Sequence, residues 1–297
     1  MENKKKVNKK VKIGQNWVVD RGIILGQGQL GTVYEGFSTH DKKYKVAIKE
    51  YNISTIEQFL GDQTKQYLER EVSVMMKVQN KNIVKILDLK QTKPSPSETY
   101  LFIIMEKLSG GTLQQKIFKE NYIPEELAQI TFKQIMEGYS SIVKYDAIHR
   151  DLKPANIIFD EEQQIAKIAD FGLAKFLLQN EQNQEQTIFI TNRGTPHYKC
   201  PELLTSDEYI EVKQPQKIDI WSLGVILYEM LYGKIPWNSH QNQDIAEFYQ
   251  TITTTQIQFP ENIQVQQSTK NLILGMLELD SQKRFSYEQC MQHPFLK

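Results

Sequence analysis

Three glycines near the start of the chain have a spacing that could bring backbone N–H groups against phosphates. They lie in the segment Leu25-Gly26-Gln27-Gly28-Gln29-Leu30-Gly31-Thr32-Val33. Dinucleotide-binding domains share this spacing, but in those domains the last glycine leads into a helix. Here Thr32, Val33 and Tyr34 favour a strand, so we predict a glycine-rich hairpin that lies over phosphates. Taken alone, the motif fits an ordinary hairpin equally well.

A second segment, Val46-Ala47-Ile48-Lys49, places a small residue and a cation on one face of a predicted strand. Ala47 would leave room for a flat base, and Lys49 would direct its ammonium group at a phosphate. A lysine in this position needs a carboxylate partner. On the helix predicted next, Glu71 falls on the apolar face, whereas Glu69 lies about 200° round the axis. We therefore expect Glu71 to hold Lys49 and Glu69 to face solvent.

The most specific motifs lie in the middle of the chain. His149-Arg150-Asp151-Leu152-Lys153-Pro154-Ala155-Asn156 is followed by Asp170-Phe171-Gly172. Together with the glycine hairpin, and in this order, they resemble the motifs of eukaryotic protein kinases. Pro201-Glu202 and Asp219-Ile220-Trp221-Ser222-Leu223-Gly224 resemble later landmarks of that family. Arg284 stands where the family has the arginine that pairs with this glutamate.

The resemblance covers about residues 19–297 and implies an α+β, bilobal protein-kinase-like fold. It implies a small antiparallel N-terminal lobe at about 19–105, a hinge at about 106–110 and a mainly helical C-terminal lobe at about 111–297. The N-terminal lobe would carry a β-sheet and one regulatory helix. Residues 1–18 are then predicted to be a basic, flexible tail.

The resemblance also implies roles in transfer of the γ-phosphate of Mg-ATP. Asp151 would accept or orient the proton of the attacking hydroxyl, and Lys153 would neutralise the γ-phosphate. Asn156 and Asp170 would ligate Mg²⁺, which prefers oxygen ligands. These roles are electrostatic, because position and charge stabilise most of this transition state.

The nucleotide would be held largely by residues before position 110. Lys49, held by Glu71, would contact the α- and β-phosphates. The other implied contacts are the hairpin residues Leu25, Gly26, Gln27, Gly28, Gln29, Leu30, Gly31, Thr32 and Val33, the base-pocket residues Ala47 and Ile158, and the gatekeeper and hinge residues Met105, Glu106 and Leu108.

Two segments bear on the substrate class. Lys153-Pro154 and Gly194-Thr195-Pro196-His197-Tyr198 resemble serine/threonine kinases, whereas tyrosine kinases usually carry an alanine–arginine pattern in the catalytic loop. Ala155 and Thr112 stand where kinases that prefer basic residues often carry acids, although Glu229 keeps one such acid. We therefore predict protein substrates with Ser/Thr acceptors and no strong preference for basic residues.

A phosphate on the loop after Asp170 is one possible mode of regulation. In the family, a basic pair such as Arg150 and Lys175 often receives this phosphate. Thr191 is the best-placed acceptor and Thr187 the second, through an upstream kinase or autophosphorylation. An unmodified threonine in a constitutively competent loop is an equally good interpretation.

Composition limits the remaining classes of protein. The 297 residues carry 36 Lys and Arg against 36 Asp and Glu, which excludes a generally basic nucleic-acid binder. Residues 1–12 contain six lysines and one acid, so the rest has 30 basic and 35 acidic side chains, a net charge of −5. No secretory signal or transmembrane run is apparent. We expect a cytoplasmic protein, with nuclear access through the lysine-rich start as an option.

Two cysteines, Cys200 and Cys290, are too few for a disulfide framework. Cys200 replaces the alanine usual in the family, and we expect it to be structural, with a reactive thiol left open.

Hydrophobic periodicity predicts the elements that position these residues. We predict strands across 17–50, a helix over 54–79, strands at Ile83–Leu89 and Tyr100–Met105 with a proline-containing loop at 93–97, a helix that begins at Pro124, a buried helix at Ile218–Leu231 and a polar loop at 179–186.

Three other functions compete with a protein kinase. A pseudokinase or scaffold would have the same fold without phosphate transfer. Loss of motif residues would indicate it, but Lys49, Asp151, Asn156 and Asp170 are all present. A small-molecule phosphotransferase is opposed by residues 194–195 and 201–202, which resemble a peptide-docking segment. An oxidoreductase with a dinucleotide fold is opposed by the strand predicted after Gly31.

Overall fold

The computed structural model describes residues 9–28, 31–61, 72–162, 164–177, 188–191, 194–205, 209–237 and 244–297. The chain forms two compact units. The first comprises Met1–Met76 and Val84–Ser109, and the second comprises Lys77–Ile83 and Gly110–Lys297.

The first unit is built on a six-stranded antiparallel sheet with the order β1-β2-β3-β4-β6-β5. A short helix, α1 (Ile53–Leu60), follows β4, and residues 72–77 are helical. The strands are β1 (Lys10–Ile13), β2 (Trp17–Gln27), β3 (Thr32–Ser38), β4 (Lys45–Asn52), β5 (Ile86–Ser95) and β6 (Glu98–Glu106).

One face of this sheet carries the core of the first unit. Val46 and Ile48 of β4 are fully buried there, whereas Ala47 and Lys49 alternate to the opposite face. The core cluster of Ile13, Val19, Val46, Ile48, Phe102 and Ile104 is fully buried or nearly so. The sheet therefore leaves its other face for Lys49 and its neighbours.

The N-terminal tail predicted for residues 1–18 is wrong for its second half. Lys10–Ile13 forms β1, which pairs with β2 from Lys10 opposite Asp20 to Ile13 opposite Trp17. The lysines face outward while Ile13 is fully buried. Apolar burial outweighs the charge pattern, because lysine on an edge strand keeps its ammonium in water.

Two further predictions about elements are corrected. The predicted loop at 93–97 is shorter, because β5 continues through Pro94 to Ser95 with an irregular register after Thr92. β5 is an edge strand, where a missing N–H is tolerated. The helix predicted over 54–79 is interrupted, since α1 ends before Gly61, which has φ +53°. The part of that prediction at 62–71 lies outside the described residues.

The second unit is mainly helical. Its strands form three short antiparallel pairs, β7 (Ala147–Ile148) with β10 (Lys175–Phe176), β8 (Ile157–Phe159) with β9 (Ala166–Ile168) and β11 (Ile188–Thr191) with β12 (Tyr209–Val212). The helices are α2 (Leu113–Glu120), α3 (Glu125–Lys144), α4 (Gln216–Tyr232), α5 (Ile245–Thr254), α6 (Gln267–Met276) and α7 (Tyr287–Gln292).

The two helices predicted from periodicity are confirmed. α3 begins after Pro124 with two acids in its first turn, and its predicted apolar residues Ala128, Phe132, Ile135, Tyr139 and Ile142 have no exposed surface. α4 is buried along nearly its whole length and ends at Gly233, which has φ +70°. A Cβ at Gly233 would lie 1.7 Å from the carbonyl oxygen of Asn121, so only glycine fits. The antiparallel sheet unit and the helical unit confirm the predicted α+β class.

Candidate active site

A buried carboxylate on α4 anchors the start of the segment 149–156. The Oδ2 atom of Asp219 accepts the N–H of His149 at 2.7 Å, and Oδ1 accepts the N–H of Arg150 at 2.8 Å. Arg150 has φ +70°, a strained conformation for a non-glycine residue, and this bond helps to hold it. Burial raises the pKa of Asp219, while His149, by its charge and its N–H, acts in the opposite direction.

The carboxylate of Asp151 is the centre of a network of four side chains. Its Oδ2 atom accepts from Lys153 Nζ at 2.7 Å and from Asn156 Nδ2 at 3.1 Å. Its Oδ1 atom accepts from Thr195 Oγ1 at 3.0 Å and from the Thr195 N–H at 3.2 Å. Lys153 Nζ also donates to Thr195 Oγ1 at 2.7 Å. These donors fix the position of the carboxylate.

Asp170 directly follows Ala169, a residue whose backbone is hydrogen-bonded to Asn156. The N–H of Ala169 donates to the carbonyl oxygen of Asn156 at 2.8 Å, so the chain places Asp170 beside the Asp151 network. Asp170 has φ +61°, again a strained conformation. Phe171 is fully buried, and its ring lies 4.9 Å from that of His149. Fully buried packing on one side and a backbone bond on the other therefore hold Asp170 in this conformation.

Asn156 and Asp170 offer the oxygen donors that Mg²⁺ prefers. The amide nitrogen of Asn156 donates to the backbone oxygen of Asp151 at 2.8 Å, so Oδ1 is the side-chain atom of Asn156 that could accept or ligate. Among the described residues, no cluster of three or more His, Cys, Asp or Glu could hold a metal ion. Two protein oxygen ligands are a set that suits Mg²⁺, which usually keeps several waters and binds phosphates beside one or two carboxylates.

Lys49 lies on the sheet face opposite the core of the first unit. It is 8% exposed, and its Nζ atom lies 5.0 Å from the centre of the Tyr51 ring. Val33 of β3 lies directly opposite Lys49. A Cβ at Gly31 would lie 2.8 Å from both the Glu50 carbonyl oxygen and the Tyr51 ring, so the hairpin requires glycine there. Strand β3 begins right after Gly31, which confirms the predicted hairpin.

The predicted base-pocket residues of the first unit lie around the same face. Ala47 lies directly opposite Met105, which is 9% exposed. Leu25 is 43% exposed, whereas Val33 and Leu108 are half-buried. The end of the β2–β3 hairpin contains four more of the predicted residues, Gly26, Gln27, Gly28 and Thr32. Glu106 accepts a hydrogen bond from the backbone of Lys85, and Ile158 is half-buried in the second unit. Three predicted residues lie outside the described residues: Gln29, Leu30 and Glu71.

The segment after Thr195 is tied to α4 and to the end of the chain. The Tyr198 hydroxyl donates to Glu229 Oε2 at 2.8 Å. Arg284, with no exposed surface, donates to both oxygens of Glu202 at 2.7 and 2.9 Å, which confirms the predicted pairing. Cys200 is fully buried and burial raises its pKa, so its role is structural.

The predicted phosphate-receiving residues are only partly described. Arg150 Nε donates to the carbonyl oxygen of Leu173 at 2.5 Å, and Lys175 begins β10. Thr191 is the last residue of β11 and lies opposite Tyr209, whereas Thr187 is outside the described residues. Over the ranges that are described, no helix combines the length and apolar character needed to cross a membrane.

Two functional contacts were missed by sequence reasoning. As motif residues, Asp219 indicates only the family and Thr195 only the substrate class. Asp219 is separated by about 70 residues from the backbone groups that it holds. Thr195 reaches Asp151 across 44 residues. Neither contact leaves a periodic or local signal in the sequence.

Comparison with known proteins gives a consistent result. The protein kinase domain family matches residues 19–296. Two relatives from Dictyostelium discoideum are a probable serine/threonine-protein kinase fhkA, 31% identical over 92% of this chain and 48% of that protein, and the serine/threonine-protein kinase atg1, 32% identical over 95% and 39%. A third, the fatty acyl-CoA synthetase and RNA processing-associated kinase 1 of Saccharomyces cerevisiae, is 32% identical over 93% and 31%. The chain spans less than half the length of these relatives.

Proposed function

The chain belongs to the protein kinase family, and from this we propose that it transfers the γ-phosphate of Mg-ATP to serine or threonine hydroxyls of proteins. The observation that carries the proposal is the carboxylate of Asp151, held by Lys153, Asn156 and Thr195 at 2.7–3.2 Å. A carboxylate fixed beside a lysine is what proton acceptance and phosphate neutralisation require.

In the second unit, each polar group has one proposed task. Asp151 accepts or orients the proton of the attacking hydroxyl. Lys153 neutralises the γ-phosphate and also fixes Thr195. Asn156 Oδ1 and the Asp170 carboxylate would hold Mg²⁺, which supplies charge neutralisation at the phosphates. The short loop between β7 and β8 keeps the acid, the lysine and the amide in register.

In the first unit, the sheet face that carries Ala47 and Lys49 would contact the nucleotide. Lys49, paired with Glu71, contacts the α- and β-phosphates, and the β2–β3 hairpin offers backbone N–H groups to them. Ala47 leaves room for the flat base, and the backbone at 106–108 bonds its edge. Close packing against Glu50 and Tyr51 at Gly31 fixes the base of the hairpin.

The Ser/Thr preference rests on two observations. The hydroxyl of Thr195 bonds both Asp151 and Lys153, at 3.0 and 2.7 Å. The two relatives from Dictyostelium discoideum are named serine/threonine-protein kinases.

We also propose that Thr191 is a regulatory phosphorylation site, because Arg150 and Lys175 could bind its phosphate. Unchanged activity of the phosphorylated parent after Thr191→Ala would remove that regulatory proposal.

The test is phosphate transfer from Mg-ATP to a peptide array. Asp151→Asn and Lys49→Met should each lower transfer at least 100-fold while circular dichroism and melting stay close to the parent. Glu161→Gln, which changes an exposed carboxyl of the same unit, is the matched control and should keep full activity.

Two results would contradict the proposal. Transfer to tyrosine alone would overturn the Ser/Thr assignment. Absence of transfer by the parent, with and without a phosphorylated loop, would favour a scaffold that has the same fold.

A further inference from the structure

A single row of directly opposed residues crosses the sheet of the first unit, on the face that also carries Lys49. Lys10 lies opposite Asp20, Asp20 opposite Glu35, Glu35 opposite Ala47 and Ala47 opposite Met105. Directly opposed residues in antiparallel strands share a face, with Cβ atoms about 4.5–5.5 Å apart. Glu35 is therefore the immediate cross-strand neighbour of Ala47, a residue assigned to the base pocket.

Both oxygens of Glu35 are engaged by lysines. Oε2 lies 2.7 Å from Lys107 Nζ, and Oε1 lies 2.9 Å from Lys45 Nζ. The Glu35 side chain is 12% exposed and that of Lys107 is 25% exposed, whereas Lys45 is 44% exposed. The bond to Lys107 is thus the shorter and the better shielded of the two, and it should be the stronger.

Lys107 lies just after β6, in the segment 106–108 proposed to bond the edge of the base. Glu106 on its N-terminal side is fixed to Lys85, since its N–H donates to the Lys85 carbonyl oxygen at 3.0 Å and its Oε1 accepts the Lys85 N–H at 2.7 Å. These bonds hold the start of the segment. The ion pair with Glu35 holds the next residue from the opposite side.

We propose that Glu35 is a positioning residue for nucleotide binding, acting through Lys107 on the backbone of residues 106–108. The inference rests on the proposed function, because it assumes that this backbone bonds the base. It adds a residue on a different strand that sets the affinity for ATP. Glu35 touches neither phosphates nor the hydroxyl substrate in this role, so it should affect KM for ATP and leave kcat unchanged.

The charge of Glu35 is well supported by its surroundings. The hydrogen bond from Lys107, followed by that from Lys45, lowers the pKa of the Glu35 carboxyl. Asp20 faces the row from β2 and is itself paired with Lys10 at 3.4 Å. Glu35 is therefore ionised at neutral pH, and its bond to Lys107 is charge-assisted.

The experiment compares the parent with Glu35→Gln. It measures KM for ATP, kcat, and the Kd for the fluorescent nucleotide MANT-ADP in the presence of Mg²⁺. Loss of a charge-assisted bond on a partly exposed pair should raise KM and Kd about five- to tenfold, with kcat within about twofold. Lys107→Met should reproduce this effect. The double variant should be no worse than either single variant, because both remove the same interaction.

Two control variants separate positioning from general stabilisation. Lys45→Met removes the other partner of Glu35, and Asp20→Asn removes the neighbouring pair of the same row; both should leave KM and Kd within about twofold. A lower melting temperature for Glu35→Gln with unchanged KM and Kd would overturn the inference, as would an equal effect of Lys45→Met. If the parent binds MANT-ADP but transfers no phosphate, the proposed function fails, while the Kd comparison still decides the role of Glu35. Absence of MANT-ADP binding by the parent would overturn both.

Discussion

Both cysteine thiols are buried in the second unit, with no exposed surface at Cys200 or Cys290. Burial raises the pKa of both, and that of Cys290 to about 12, because a thiolate would lose its hydration. Neither thiol should therefore be nucleophilic at neutral pH. We expect the folded protein to show no reaction with a thiol-specific reagent such as DTNB over minutes, and two equivalents to react in guanidinium chloride. Fast reaction of one thiol in the folded protein would contradict this prediction.

Glu35 gives a second prediction at the scale of a single residue, on stability and pH. The folded-state pKa of Glu35 is lowered, chiefly by the bond from Lys107. Its stabilisation is therefore present above its unfolded-state pKa of about 4.3 and is lost as pH falls through the folded-state pKa. The free energy of unfolding should differ between the parent and Glu35→Gln by about 1 kcal/mol or less above pH ~5. Urea unfolding should show that difference disappear towards pH ~3, and a constant difference would contradict the prediction.

The residues proposed to bear the chemistry could be named from the sequence, but their partners could not. Asp151 and Asn156 lie in one contiguous motif and Asp170 in a second, so each motif can be recognised locally. Asp219 and Glu35 act by contacts across about 70 residues, with the backbone of residues 149–150 and with Lys107. Such contacts depend on strand register and helix packing, which a single sequence does not display.

At the scale of elements, β1 makes the N-terminal segment part of the core. Ile13 is fully buried with Val19 and Ile48. Ile13→Ala should lower the free energy of unfolding by about 2–4 kcal/mol, through lost burial and a residual cavity. Denaturant unfolding measures this loss. Lys12→Ala, an exposed change on the same strand, is the matched control and should stay within about 0.5 kcal/mol of the parent. Equal stability of the two variants would mean that β1 contributes nothing.

Elements with one strong period were predictable, and those that depend on position in the sheet were not. α3 follows the helical period over many turns, and α4 is apolar on nearly every side, so the buried face of α3 and the full burial of α4 were confirmed. β1 was hidden by lysines, since charge pattern says nothing about the alternate Val11 and Ile13. Pro94 predicts a loop from the sequence alone, because the sequence does not reveal that β5 is an edge strand, where proline is tolerated.

At the scale of the whole molecule, a ligand that binds only the folded chain must stabilise it. If Mg-ADP binds as proposed, a concentration of 100 times Kd adds about 2.7 kcal/mol. For a chain of this size that corresponds to a rise in melting temperature of about 5 °C. EDTA should remove most of the shift, and so should Asp170→Asn, because Mg²⁺ then loses a protein ligand. A shift independent of Mg²⁺ and of Asp170 would contradict the assignment of the metal site.

The two edges of the six-stranded sheet also matter for how the protein behaves at high concentration. β1 is only four residues long and directs Lys10 and Lys12 to solvent, and β5 carries Pro94 and an irregular register near its end. Open strand edges invite pairing with a second chain, whereas lysine and proline on an edge discourage it. The first unit should therefore resist strand-to-strand aggregation. Strand β1, which adds Ile13 to the core, therefore also discourages strand pairing with neighbouring copies of the protein.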